Sequence, residues 1–282
     1  MLVALFLMAS VKFVNAQQNN HMKNVKKTGY APVNGLNMYY EIHGEGGIPL
    51  VLIHGGGSTI ESSFGRILPL LAEHGQVIAV ELQAHGRTSD RDAPESFEQD
   101  ADDVAALLGY LKIGKANILG FSNGGTSTLQ IAIRHQEIVN KIVVISCNYQ
   151  REGMVPGFFD GFKNATLANM PDVLKDAYLK VAPDKSHLQV MFDKDVARMA
   201  NFKDIPDEFI RSIKSPVFII MSAHDPVLPE HAIKLSRTLP SAQLAILPGM
   251  HGSTIGALES GEVIMDGKLP GITVTLVEAF LK

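Results

Sequence analysis

From Tyr30 onward, short apolar runs take turns with longer stretches whose apolar positions recur every three or four residues. Residues 36–42 predict a strand, and residues 49–53 a second one that is apolar throughout. Residues 60–73 have helical spacing, with Ile67, Leu68, Leu70 and Leu71 as the stripe, and 76–82 predict the next strand. Residues 97–111 predict a helix with Val104, Leu107 and Leu108 facing inward and Glu98, Asp100, Asp102 and Asp103 outward. A strand at 116–121, a helix at 123–134 and a strand at 139–146 follow. Apolar strands separated by helices of about ten residues or more predict an α/β fold: a mostly parallel, doubly wound sheet with helices on both faces.

The rhythm breaks between residues 148 and 213, where Met154, Phe158, Phe159, Phe162, Met170, Met191, Phe192 and Met199 sit among helix formers with no clear strand. It resumes with strands at 216–221 and 243–247 and helices at 230–239 and 272–281. The expected organisation is a core of residues 30–147 and 214–282, interrupted by a helical cap insertion at 148–213. Methionine and phenylalanine suit a cap over an apolar pocket, because both shape sites for apolar ligands.

Composition narrows the partners. Of 282 residues 46% are hydrophobic and 19% charged, enough to build a sizeable core. A net charge of −4 gives no electrostatic reason to expect nucleic acid. Residues 2–9 are almost unbroken apolar, and Val14 and Ala16 place small residues before a cut after Ala16; together they predict a signal peptide at 1–16, although no Lys or Arg precedes the run. Export to the periplasm or beyond is then expected, a cytoplasmic location otherwise, with no membrane span in the mature chain. A single cysteine, Cys147, at the end of an apolar strand, is expected to pack rather than react.

The chemistry is concentrated at Gly120-Phe-Ser-Asn-Gly124, where a predicted strand gives way to a predicted helix. This is the G-x-S-x-G pattern of a nucleophile elbow, which leaves the serine, Ser122, exposed at the strand's C-terminal end. A serine hydroxyl needs a base in reach, and the base an orienting acid. Both are expected after later strands, since ligands on such sheets sit beyond the strands' carboxyl ends. Asp225 follows the strand at 216–221, and His251 follows the strand at 243–247 in the turn Pro248-Gly-Met-His251. The order Ser, Asp, His is the one that accompanies such an elbow. His54-Gly-Gly-Gly57 follows the second strand, where backbone approaches substrate without intervening side chains. The expected oxyanion donors are the N–H groups of Asn123 and Gly56, with Gly57 as second choice. A phosphate cradle is excluded, because no G-x-G-x-x-G or terminal Gly-Lys-Ser/Thr is present.

Taken together, His54-Gly-Gly-Gly57, Ala84-His-Gly-Arg-Thr88, Gly120-Phe-Ser-Asn-Gly124, Asp225 and His251 resemble an α/β-hydrolase of the small, helical-cap serine esterase or lactonase type, over roughly Asn34 to Leu281. The resemblance implies that His85 belongs to a structural turn. It excludes haloalkane dehalogenases and epoxide hydrolases, which use an aspartate nucleophile. Asn123 departs from the apolar or glutamine residue frequent after the nucleophile, and residues 252–268 lengthen the connection to the last helix without an evident reason. The expected activity is hydrolysis of a small apolar carboxylic ester through an acyl-serine, without cofactor or metal. The same triad also serves lactonases, carbon–carbon bond hydrolases, aminopeptidases, perhydrolases and acyltransferases. Two readings of other kinds stay open, a non-catalytic binding protein on this fold and a membrane-attached role through the N-terminal segment.

Overall fold

The structure, a computed structural model, describes residues 25–261, 263 and 265–282. The proposed signal peptide at 1–16, and with it the expectation of export, lies outside the described residues. Eight strands form one sheet in the order β1-β2-β4-β3-β5-β6-β7-β8. They are β1 (Val25–Val33), β2 (Leu36–His43), β3 (Leu50–Ile53), β4 (Val77–Val80), β5 (Ala116–Phe121), β6 (Val139–Ile145), β7 (Val217–His224) and β8 (Ala242–Met250). β2 runs antiparallel to β1 and β4, and every other neighbouring pair is parallel.

The continuous apolar character of the inner strands follows from burial on both faces. Leu50 and Leu52 enter one hydrophobic cluster while Val51 and Ile53 enter the other, and Leu119 and Ile118 divide the same way. β1 carries no such signal. It is an edge strand with a proline, Pro32, tolerated because one side of an edge strand needs no ladder hydrogen bond.

Three sequence expectations are corrected. The helix expected at 60–73 is two short ones, Ile60–Phe64 and Leu68–Leu71, separated by Gly65 and restarted with Pro69 at its N-terminus. β8 runs on to Met250, so His251 follows the strand directly. On the helix Phe97–Tyr110, Asp100 and Asp103 are buried, not outward. Asp100 lies three residues after Phe97 and four before Val104, on the inward stripe, and an arginine meets each acid there: Arg198 at Asp100 and Arg91 at Asp103.

Between β6 and β7 the chain forms 3-10 turns and the helices Asp172–Val181, Leu188–Ala200 and Asp207–Ser212. This inserted segment has a small core of its own, in which Met170, Leu174, Tyr178, Leu188, Met191 and Phe192 meet. Residues 252–257 wind into a tight turn, with Ala257 N–H bonded to the Gly252 carbonyl. The following turn, Leu258–Ser260, touches both Ile60–Phe64 and Asp172–Val181. The long connection after His251 thereby joins the core to the inserted segment.

Candidate active site

β5 ends one residue before Ser122, and the helix Asn123–Arg134 starts one residue after it. Close approach dictates the flanking glycines. A β-carbon at Gly120 would stand 2.0 Å from the Gly124 carbonyl oxygen, and one at Gly124 would stand 2.2 Å from the Ile53 carbonyl oxygen. Ser122 itself has φ 54° and ψ −122°, a conformation that costs an L-residue energy and persists only when its surroundings enforce it. Here its N–H donates to the Ile145 carbonyl, while its own carbonyl accepts from Gly125 and Thr126.

The strained serine presents Oγ 3.0 Å from His251 Nε2. On the other side of the ring, His251 Nδ1 lies 3.0 and 3.1 Å from the two Asp225 carboxylate oxygens. Because a carboxylate only accepts, the proton sits on Nδ1 and Nε2 is free to take the serine proton. Burial favours the neutral ring, but the Asp225 charge and hydrogen bond outweigh it and raise the pKa of His251. The Val227 N–H in turn fixes Asp225 Oδ1 at 3.0 Å. Ser122, Asp225 and His251, read from three separate stretches of sequence, are thus adjacent.

The glycine loop after β3 stands against the same elbow. Among the described residues, the N–H groups of Gly56 and Asn123 have no protein acceptor, and both residues line the cavity above Ser122. A β-carbon on Gly56 would lie 2.5 Å from Asn123 Nδ2, so the Asn123 side chain closes over the loop. Gly57 differs, because its N–H donates to the Asp195 carboxylate. That occupancy leaves Gly56, not Gly57, with a free donor.

Asp195 was not singled out from sequence, and neither was Arg198. Both are on the helix Leu188–Ala200, where Met191, Asp195, Arg198 and Met199 share one face. Two charges on an otherwise apolar stripe were the available signal. Asp195 also lies 3.0 Å from His85 Nε2, and its other oxygen pairs with Arg198. His85 Nδ1 faces the Gln83 carbonyl at 2.8 Å. Nε2 also stands 3.2 Å from the Gly57 N–H, so the Asp195 carboxylate and the Gly57 N–H meet at this nitrogen. Burial favours the neutral ring, yet Asp195 outweighs it and pushes the pKa of His85 up to about 9. Glu95, which lies behind His85 and beside Arg198, is pushed up to about 7 by burial. His85 does not line the cavity.

A cavity of about 480 Å³ opens above Ser122 and His251. Of the apolar side chains expected to cap a pocket, Met154, Phe158, Phe162, Met170, Met191, Phe192 and Met199 line it. Phe159 instead turns away to pack on Phe202 and beneath the Arg151 guanidinium. Among the lining residues are one carboxylate, Asp195, and no lysine or arginine. Cys147 is buried and its thiol is pushed up to about 12 by burial, so it packs. Among the described residues, no group of three His, Cys, Asp or Glu side chains is arranged to hold a metal ion, and no helix is long and apolar enough to cross a membrane.

Comparison with known proteins agrees with this architecture. A family model described as the alpha/beta hydrolase fold matches residues 48–174. The 2-hydroxy-6-oxo-6-(2'-aminophenyl)hexa-2,4-dienoic acid hydrolase of Metapseudomonas resinovorans is 28% identical over 235 residues, 72% of this chain and 77% of that protein. The human serine hydrolase BPHL is 27% identical over 234 residues, 78% of each chain. Among solved structures, the enol-lactonase from Burkholderia xenovorans LB400 superposes with a TM-score of 0.68 at 22% identity, covering 90% of this chain and 100% of that one.

Proposed function

This chain belongs to the α/β-hydrolase fold family, and from that premise we propose that it is a serine hydrolase cleaving a small, uncharged, apolar carboxylic ester through an acyl-serine intermediate. The observation that carries the proposal is the hydrogen-bonded series Ser122–His251–Asp225, opening on an apolar cavity with no cationic lining residue.

In the first step His251 Nε2 takes the Ser122 proton as Oγ attacks the ester carbonyl carbon. Asp225 holds the ring in the tautomer that makes this possible and stabilises the imidazolium that forms. The developing oxyanion accepts from the N–H groups of Gly56 and Asn123. Collapse of the tetrahedral intermediate breaks the bond to the alkoxy oxygen, and His251 returns its proton to the departing alcohol. Water then attacks the acyl-serine, again giving a proton to His251, and the carboxylic acid leaves as Ser122 regains its hydrogen.

Substrate class follows from the cavity wall. The Metapseudomonas resinovorans relative is by its name a hydrolase of a dienoic acid, which carries a carboxylate. In this chain the lining supplies no lysine or arginine to meet one, and Asp195 adds a negative charge. Arg198, the guanidinium paired with the lining residue Asp195, is already shared with Asp100 and Glu95. An uncharged ester, open-chain or cyclic as the enol-lactonase likeness allows, suits this wall better than a dienoic acid.

A fluorophosphonate label with a panel of aryl esters and lactones tests the proposal. Wild type should label and turn over, and Ser122→Ala should lose the label and roughly 10⁴ or more in kcat. An unlabelled wild type, or a Ser122→Ala variant that keeps its esterase activity, would overturn it.

A further inference from the structure

We propose that Asp195 and Arg198 of the inserted segment are positioning residues for the oxyanion-binding backbone, so that the donors are aligned only while this segment is seated on the core. The inference rests on the serine-hydrolase reading above and adds to it a dependence of transition-state stabilisation on the roof of the cavity.

Two chains of contacts carry it, one ending on the residue after Gly56 and the other on the Asn123 carbonyl. On the glycine-loop side, Asp195 Oδ2 accepts the Gly57 N–H from 138 residues away and lies 3.0 Å from His85 Nε2, which itself stands 3.2 Å from the same N–H. This anchors the peptide next to the free Gly56 donor. Gly57 has φ 63°, a left-handed conformation with few local constraints, so a glycine loop without that acceptor has more than one way to turn. On the elbow side, Arg198 Nη1 donates to Asp100 Oδ2 at 3.0 Å. The single Ser127 hydroxyl proton is shared between Asp100 Oδ2 at 2.7 Å and the Asn123 carbonyl at 3.2 Å, one turn back on the same helix. Asp195 and Arg198 pair with each other three residues apart on one helix, which closes the network between the two donors.

The network is sealed where it matters. The Asp100 and Arg198 side chains are each at most 3% exposed, and that of Asp195 is 12% exposed, on the cavity side. Charged groups in such surroundings lose little of their interaction to solvent screening. His85, for which the family resemblance implied only a turn, gains a second part here, because its Nε2 meets both the Gly57 N–H and the acceptor that holds it. The side chains line up the donors without touching the reacting atoms, and a displacement of about 1 Å at such a site costs up to about 10²-fold in rate.

The test compares Asp195→Asn, Arg198→Lys and Ser127→Ala with wild type. It measures kcat, KM, affinity for an aryl trifluoromethyl ketone as transition-state mimic, and affinity for the corresponding uncharged alcohol as ground-state ligand. Circular dichroism and melting temperature establish folding. Asp195→Asn should lower kcat and ketone affinity together by about 10- to 100-fold while KM and alcohol affinity stay within a few-fold. Arg198→Lys should keep part of the loss at bay by retaining a cation, and Ser127→Ala should reduce kcat several-fold through the Asn123 side alone. Ser127→Ala keeps every ion pair, so it decides the question even if the charge variants do not fold. Folded variants with wild-type kcat and ketone affinity, or with equal losses for ketone and alcohol, would overturn the inference. Fluorophosphonate labelling of wild type in the same series separates this outcome from failure of the serine-hydrolase reading, which predicts the label irrespective of the variants.

Discussion

His251, His85 and His54 show how partner chemistry sets the state of a buried imidazole. His54 gives its Nδ1 proton to the Gly55 carbonyl at 2.7 Å and accepts the Leu82 N–H at Nε2, so it is neutral, with burial and the neighbouring His85 charge lowering its pKa to about 3. His85 faces the Gln83 carbonyl at Nδ1 and both the Asp195 carboxylate and the Gly57 N–H at Nε2, and Asp195 raises its pKa to about 9 against burial. His251 faces a carboxylate on one side and a hydroxyl on the other, the arrangement that leaves one nitrogen free to act as base. A raised His251 pKa means that more alkaline solution is needed to free that base. The acid limb of kcat/KM is therefore expected above the ordinary imidazole value of about 6.5. Asp225→Asn removes the charge that raises it and leaves burial, so the limb should move to lower pH while kcat falls by roughly 10⁴. A pH–rate profile of both proteins checks this, and a limb that stays in place would contradict Asp225 as the partner. At this scale Ser122, Asp225 and His251 were legible because each carries its own local signal, a G-x-S-x-G elbow or a polar residue just past an apolar strand. Asp195 was not, since an acid followed three residues later by an arginine reads as an ordinary surface helix pair.

Elements constrain one another through backbone contact as much as through side chains. Helix Asn123–Arg134 approaches β3 so closely that Gly124 leaves no room for a β-carbon beside the Ile53 and His54 carbonyls. Gly124→Ala must push helix and strand apart, and overpacking of this kind costs about 1–3 kcal/mol. Urea unfolding should show the loss, and an unchanged midpoint would mean that the elbow is looser than this geometry. Helix Phe97–Tyr110 teaches a related lesson. Its acids look outward when only apolar residues define the buried face, yet Asp100 and Asp103 are inside because Arg198, far along the chain, and Arg91, in the loop before the helix, neutralise them there. Likewise the division of residues 60–73 into two short helices was written in Gly65 and Pro69, while helical periodicity alone ran across the break.

Across the whole molecule, the cavity lies between the C-terminal ends of the central strands and the segment inserted after β6. On the proposed reading its wall selects by charge. Paired substrates that differ only in a free carboxylate or its methyl ester should be separated by about tenfold or more in kcat/KM in favour of the methyl ester, since a carboxylate would enter without a cationic partner and beside Asp195. Equal turnover of the pair would remove the argument from the wall. The sequence by itself determined the alternation of strands and helices, the mostly parallel sheet and the three residues that follow its strands, because periodicity and strand-end position are local properties of the chain. Tertiary structure alone decided that Gly57 is occupied and Gly56 free, that His85 meets Asp195, and that Asp195 and Arg198 from the inserted segment meet the glycine loop and Asp100. Each of these depends on a donor and an acceptor separated by many residues, and only folding brings such groups within a hydrogen bond of each other.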